Sequence, residues 1–253
     1  MSLDVEEREN HDWGWNRDFD KWRVPWWRKR PQLGWRGSQG VHKDIPTWPL
    51  EGSKRSTPSE REGKGVESFF FHPRTRLVQL GTSRPDLIDA GWAKFAGMFG
   101  EPHERVLEEL KRNEKKPLHE DFSEKDWSSF RYIGVIDGAG MTIRFIEALL
   151  TNSVPVKHTS PFLEWYYDLV EPMRDYVNVS YSFSDLVEKL EWLNANPEEA
   201  RRIAEQGTKR AAEFYKPERV LCDLARVLIG LAARLDFEVT VQPGMLAHPV
   251  GKW

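Results

Sequence analysis

From Phe130 onward the chain repeats one unit: a short apolar run, a turn, then a longer segment of helical period. The pattern predicts strand Tyr132–Ile136 with helix Thr142–Leu150, and strand Val154–His158 with helix Pro161–Val170, stopped by Pro172. It then predicts strand Tyr176–Tyr181 and helix Asp185–Asn194, with Ser184 as its cap. Two further helices are expected, from Glu198 to about Phe214 and from Pro217 to about Leu235. Strands separated by helices cannot close as hairpins, so they run parallel with crossover connections. The expected fold class is α/β, a Rossmann-like parallel sheet with crossover helices.

The first half joins the same sheet less regularly. Leu33–Ser38 reads as a strand, and residues 39–68 form a polar insertion of about thirty residues, longer than compact domains usually carry. Phe69–His72 is apolar, Arg74–Leu80 reads as a helix closed by Gly81, and Leu87–Trp92 reads as a strand with Asp86 and Asp89 at its edges. Phe95–Leu110 has helical period, and Lys111–Lys125 is an exposed charged connection. The expected organisation is an irregular, tryptophan-rich segment 1–32, one Rossmann-like domain 33–235 and a tail 236–253. Six tryptophans lie within the first 35 residues, where packing anchors are the commoner use and sugar platforms the rarer one.

Composition removes several function classes. A net charge of -3 gives no global case for nucleic acid or an anionic membrane. No run approaches the roughly 18 apolar residues of a membrane span, and residues 1–30 hold no apolar signal core. The single cysteine, Cys222, cannot form an internal disulfide, which makes reducing, cytoplasmic surroundings the default; a fragment of an endomembrane-lumen enzyme would read the same. Asn178-Val179-Ser180 is a sequon inside an expected strand and is taken as chance.

In an open parallel sheet, ligands bind beyond the carboxyl ends of the strands. Three such ends here carry Arg36, Gly37 and Ser38; Asp137, Gly138, Gly140 and Arg144; and Lys157, His158 and Thr159. Cations, glycines and hydroxyls together suit a diphosphate, which needs both charge and directed donors. Asp137-Gly138-Ala139-Gly140 lacks the third glycine of the dinucleotide fingerprint and the Gly-Lys-Ser/Thr of a P-loop. Asp137 reads equally as a sugar or ribose acceptor and as a turn-former. Glu164 reads as a ribose acceptor or as a carboxylate on the helix dipole. Arg74 and Arg76 face either a phosphate or solvent, and Trp165, Tyr166 and Tyr167 divide into two core residues and one cleft residue. The scattered histidines show no metal-ligand spacing, no Asp-x-Asp segment is present, and no Gly-x-Ser-x-Gly elbow marks a hydrolase.

Together these segments resemble glycosyltransferase family 90, the protein O-glucosyltransferase and capsule-associated family. Trp35-Arg36-Gly37-Ser38 is similar to its aromatic-Arg-Gly-Ser strand end, and Tyr132 to Phe145 is similar to its Tyr-x-x-x-Asp-Gly-x-Gly-x-x-x-Arg-Phe stretch, one residue longer here before Asp137. Ser153–Lys157, Glu164-Trp165-Tyr166-Tyr167, Ser184-Asp185-Leu186 and Ala204-Glu205-Gln206-Gly207 continue the resemblance in order. It implies half of a GT-B arrangement and transfer of a glucose- or xylose-like sugar from a UDP-sugar to a protein or glycan hydroxyl, without a metal or other cofactor. It also implies that Arg36, Ser38 and Arg144 hold the diphosphate, that the Asp137–Gly140 turn lies against the donor and that Glu164 faces the ribose. The sequence departs from the family at Gln39-Gly40-Val41. No base aligns among Asp12, Asp18 and Asp20, so an amino-terminal domain supplying it is expected to precede residue 1 or to be reduced to 1–32. A non-catalytic nucleotide-sugar or glycan-binding module and a purely structural Rossmann-like domain are the competing readings.

Overall fold

The structure is a computed structural model that describes residues 23–38, 72–94, 119–138 and 141–236. Gly140, the insertion 39–68, the helical pattern 95–110 and nearly all of the tail lie outside the described residues, as do residues 1–22.

Strands β1 (Arg30–Ser38), β2 (Ile88–Lys94), β3 (Phe130–Val135), β4 (Val154–His158) and β5 (Val177–Val179) form one sheet in the order β2-β1-β3-β4-β5. Every pairing is parallel, as the alternation of strands and helices requires. The helices are α1 (Pro73–Ser83), α2 (Glu124–Ser128), α3 (Arg144–Leu150), α4 (Leu186–Ala195), α5 (Pro197–Phe214) and α6 (Pro217–Ala232). The chain leaves β1 in one direction to β2 and returns to β1's other side with β3, so the strand order reverses between β1 and β3. That reversal opens the crevice where such sheets take ligands.

The core forms around this crevice. Trp35 on β1 and Trp92 on β2 are fully buried and meet edge to face with centroids 5.6 Å apart. Leu33, Leu77, Ile88, Tyr132, Val156, Leu186 and Leu190 complete the face covered by α1 and α4. Each such side chain contributes about 1.5–3 kcal/mol on full burial.

Several expected boundaries shift, each for a local reason. Gly81 does not end α1, which continues to Ser83; a Cβ at Gly81 would stand 3.3 Å from Ala90, so the glycine lets the helix approach β2 closely. A short helix, α2, occupies the end of the expected charged connection, started by a capping box in which Ser123 and Asp126 exchange hydrogen bonds. The β5 ladder stops at Val179 because the Ser180 amide turns to the Asp185 carboxylate at 2.9 Å. That engagement also leaves Asp185, not Ser184, at the start of α4.

The expected helix Pro161–Val170 is absent; only a 3-10 turn, Tyr167–Leu169, forms there. Trp165 and Tyr166 both meet Phe214, at 5.9 and 5.5 Å, while Tyr167 meets Phe145 at 5.5 Å. Three consecutive side chains on a helix fan over about 200° and could not all reach the same α3–α5 surface.

Contacts divide the chain into a unit ending at Phe214 and a second beginning at Tyr215, which contains α6.

Under the amino end of the sheet, the buried Lys29 ammonium donates to the Ser128 carbonyl (2.7 Å), the Thr151 carbonyl (2.9 Å) and Ser153 Oγ (2.8 Å). Burial and the nearby Arg23 press its pKa down to about 7. Only the charged form, however, offers three N–H donors to those three oxygens. Lys29→Met should strand these acceptors and destabilise the chain by about 3 kcal/mol. A lower urea midpoint at unchanged slope is the expected result.

Candidate functional site

The site is built at the reversal point, and its keystone is the first turn of α1. His72 caps that helix, its Nδ1 accepting the Arg74 amide at 3.2 Å, and Pro73 supplies the preset first helical residue. Burial, then the charges of Arg74 and His158, push the His72 pKa down to about 3, leaving it neutral and able to accept. Side chains on a helix lean toward its amino end, so Arg74 swings back over the strand ends. Its guanidinium donates to the carbonyls of Ser38 at 2.7 Å, Ile136 at 3.2 Å and Asp137 at 3.0 Å. One side chain thus spans the gap between β1 and β3. Gly138 lies against it: a Cβ there would stand 2.5 Å from Arg74 Nη2.

Asp137 organises the other wall. Its Oδ1 accepts the Thr142 amide at 3.0 Å, and its Oδ2 faces Lys157 Nζ at 3.5 Å. Its own amide donates to His158 Nε2 at 3.0 Å. Burial works to raise the Asp137 carboxyl pKa, but the Lys157 ammonium and the Ser160 hydroxyl work against it, and the carboxyl stays below the usual carboxylate range. Burial pushes the His158 pKa down and keeps the ring neutral. Because Nε2 of that ring already accepts the amide, the 3.5 Å approach of Nε2 to Asp137 Oδ2 is not an ion pair. The carboxylate is held mainly by Lys157, Ser160 and Thr142. The Lys157 ammonium also lies 5.0 Å from the Tyr167 ring centre.

Arg144 opens α3 on the same side. Burial depresses its pKa against the raising influence of Glu147 and Asp121. Its guanidinium stacks on the Trp127 ring, 4.2 Å from the centre, and among the described residues it has no carboxylate or carbonyl partner. Arg74 registers this neighbour: its pKa falls to about 10 through burial and then through the charge of Arg144. Two cations therefore share the crevice, and among the described residues the Arg144 guanidinium donates to no oxygen. An anion fits there.

The other expected site residues are placed less uniformly. Ser38 lends its carbonyl to Arg74 and is half-buried at the mouth. Glu164 sits on the loop after β4, not on a helix, near enough to Lys157 and Tyr167 to bias both. Its helix-dipole reading therefore lapses. Gly37 packs beneath the Trp35 ring at a register shift in β1. Arg36 does not join the cluster. It is buried, ion-paired with Asp89 at 2.7 Å, and lies over the Phe122 ring at 4.0 Å. The structure makes Arg74 the central residue, with His72 capping its helix, and adds Trp127 beside Arg144. The His-Pro-Arg helix start was a legible signal for Arg74, but its partners lie 36 to 63 positions away.

Comparison with known proteins matches residues 64–248 to the model of Glycosyl transferase family 90. Human Protein O-glucosyltransferase 3 is 33% identical over 176 residues, which cover 70% of this chain and 32% of that protein. Bovine Protein O-glucosyltransferase 1 is 25% identical over 186 residues, 72% of this chain and 45% of that protein. The chain thus spans about a third to under half of the length of these relatives. Among solved structures, Anabaena Alr3699/HepE in complex with UDP-glucose gives a TM-score of 0.49 at 14% identity over 69% of this chain and 54% of that chain. The C-terminal domain of the glycosyl transferase group 1 protein LpcC from Francisella tularensis gives 0.48 at 13% identity, over 79% and 99%.

The Asp137 arrangement has a pH signature. Its folded pKa of about 2 lies below that of the unfolded chain, so the unfolded chain binds more protons in the interval. The stabilisation is fully present above about pH 4 and disappears as pH falls through about 2. Asp137→Asn should therefore cost about 2 kcal/mol at pH 7, and its deficit against wild type should shrink to nothing near pH 2 in acid-titrated unfolding curves.

Proposed function

This chain belongs to glycosyl transferase family 90, and on that basis we propose that its crevice binds the diphosphate of a UDP-sugar for transfer of a glucose- or xylose-like sugar to a protein or glycan hydroxyl. The observation that carries the reading is the pair of neighbouring guanidinium groups, Arg74 and Arg144, at the strand-order reversal. Among the described residues a carboxylate ties up neither of them: Arg74 is pinned by neutral carbonyls and Arg144 by an aromatic ring. Two fixed cations match the two charges of the diphosphate in a UDP-sugar, and their mutual repulsion is relieved when the anion arrives.

In this reading Arg74, Arg144 and the Ser38 hydroxyl hold the diphosphate, and Gly138 allows close approach. Lys157 adds positive potential from behind Asp137, and Glu164 accepts from the ribose hydroxyls. As the bond between the anomeric carbon and the phosphate oxygen breaks, charge grows on the departing UDP, and the arginines stabilise it most at that point. They supply the positive charge that a divalent cation supplies elsewhere, so transfer proceeds without a metal. Arg36, its charge already met by Asp89, braces the wall and does not touch the donor. Asp137 is committed to Lys157 and Thr142, so it is not the base that activates the acceptor. Exposed Met141, Ile143, Leu163 and Trp165 follow the ends of β3 and β4 and provide an apolar rim for the sugar or acceptor. That engaged carboxylate also sustains a second reading, a nucleotide-sugar-binding module that lacks the base.

Calorimetric titration with UDP tests the binding step. Wild type should bind in the presence of EDTA, and Arg144→Ala should weaken binding about 10- to 100-fold through loss of charge-assisted hydrogen bonds. Absence of UDP binding by folded wild type would overturn both readings. Transfer or hydrolysis assays with UDP-glucose, UDP-xylose and UDP-galactose then separate enzyme from binding module.

A further inference from the structure

The segment 122–130 carries a feature that the donor reading leaves unused. Phe122 meets Trp127 edge to face with ring centres 5.0 Å apart and meets Phe130 at 5.1 Å. Three arginines lie on this aromatic group: Arg30 over Phe130 at 3.7 Å, Arg36 over Phe122 at 4.0 Å and Arg144 over Trp127 at 4.2 Å. Arg30 and Arg36 both also pair with Asp89. Arg144 differs, since among the described residues the Trp127 ring is its one direct side-chain partner.

The ring is itself held fast. Trp127 sits on α2, whose start is closed by the reciprocal bonds of Ser123 and Asp126. The end of α2 is fixed by buried Ser128: its Oγ accepts the Val24 amide at 2.8 Å, and its carbonyl accepts Lys29. A long arginine side chain loses rotamer freedom when it grips a ligand. Stacking beforehand on a fixed indole removes much of that cost and leaves every N–H in the plane free to donate. The carboxylates of Glu147 and Asp121 lie near enough to favour the charged guanidinium.

We infer that Trp127 is a positioning residue for anion binding, which presets the Arg144 guanidinium at the crevice through the face of its indole. This rests on the donor reading above, in which Arg144 contacts the diphosphate.

The test is a double-mutant cycle read by calorimetry on the full chain, with UDP and uridine as probes. Trp127→Ala should weaken UDP binding about tenfold while uridine binding stays within about twofold of wild type. Trp127→Phe should recover most of the loss, whereas Trp127→Leu, apolar but without a π face, should not. In an Arg144→Ala background, Trp127→Ala should add almost nothing. Equal loss of UDP and uridine affinity, or an undiminished effect in the Arg144→Ala background, would show a general packing role and overturn the inference. Wild type that binds no UDP would instead remove the donor reading itself. Trp127→Ala that binds UDP like wild type would remove only this proposal.

Discussion

A single guanidinium closes the gap on which this fold turns. Beyond Gly34 and Ile133, the last paired residues of β1 and β3, the ladder between the two strands ends, and Arg74 answers three carbonyls there at once, those of Ser38, Ile136 and Asp137. Buried backbone acceptors left unpaired cost about 1–3 kcal/mol each, so this side chain supplies donors where the β1–β3 ladder has ended. Everything nearby accommodates it: His72 caps its helix, and Gly138 leaves room for its fork. The same residue that completes the sheet therefore places a positive charge at its mouth.

The chain handles its other buried cations differently, and the contrast locates the site. Arg36 meets Asp89, Lys157 meets Asp137, and Lys29 gives all three protons to oxygens. Charges so engaged contribute structure. Arg144 sits against an indole and beside Arg74, an arrangement of two like charges that an anion would relieve. Unrelieved repulsion in a crevice is a poor solution for stability and a good one for binding.

Much of this was legible in the residues. The alternation after Phe130 gave the parallel sheet, because side-chain period and strand length are local properties. Of the residues named at the three strand ends, Ser38, Asp137 and Gly138 meet at Arg74, and Lys157 meets Asp137. What was not legible depended on tertiary choice. Segment 161–170 has helical period, yet its rings pack onto Phe145 and Phe214 without a helix. Arg36 and Arg144 look alike as arginines at element ends; only the position of Asp89 on the neighbouring strand separates the satisfied cation from the available one. Arg74 could not be told from a solvent-facing helical arginine until the strand ends stood beneath it.

The most direct measurement is a crystal structure of the chain with UDP bound. Phosphate oxygens should lie within hydrogen-bond distance of both Arg74 and Arg144, with the Arg36–Asp89 pair intact and the Arg144 plane still stacked on Trp127. A diphosphate seated on Arg36 with Asp89 displaced, or one bound away from the β1–β3 crevice, would contradict it.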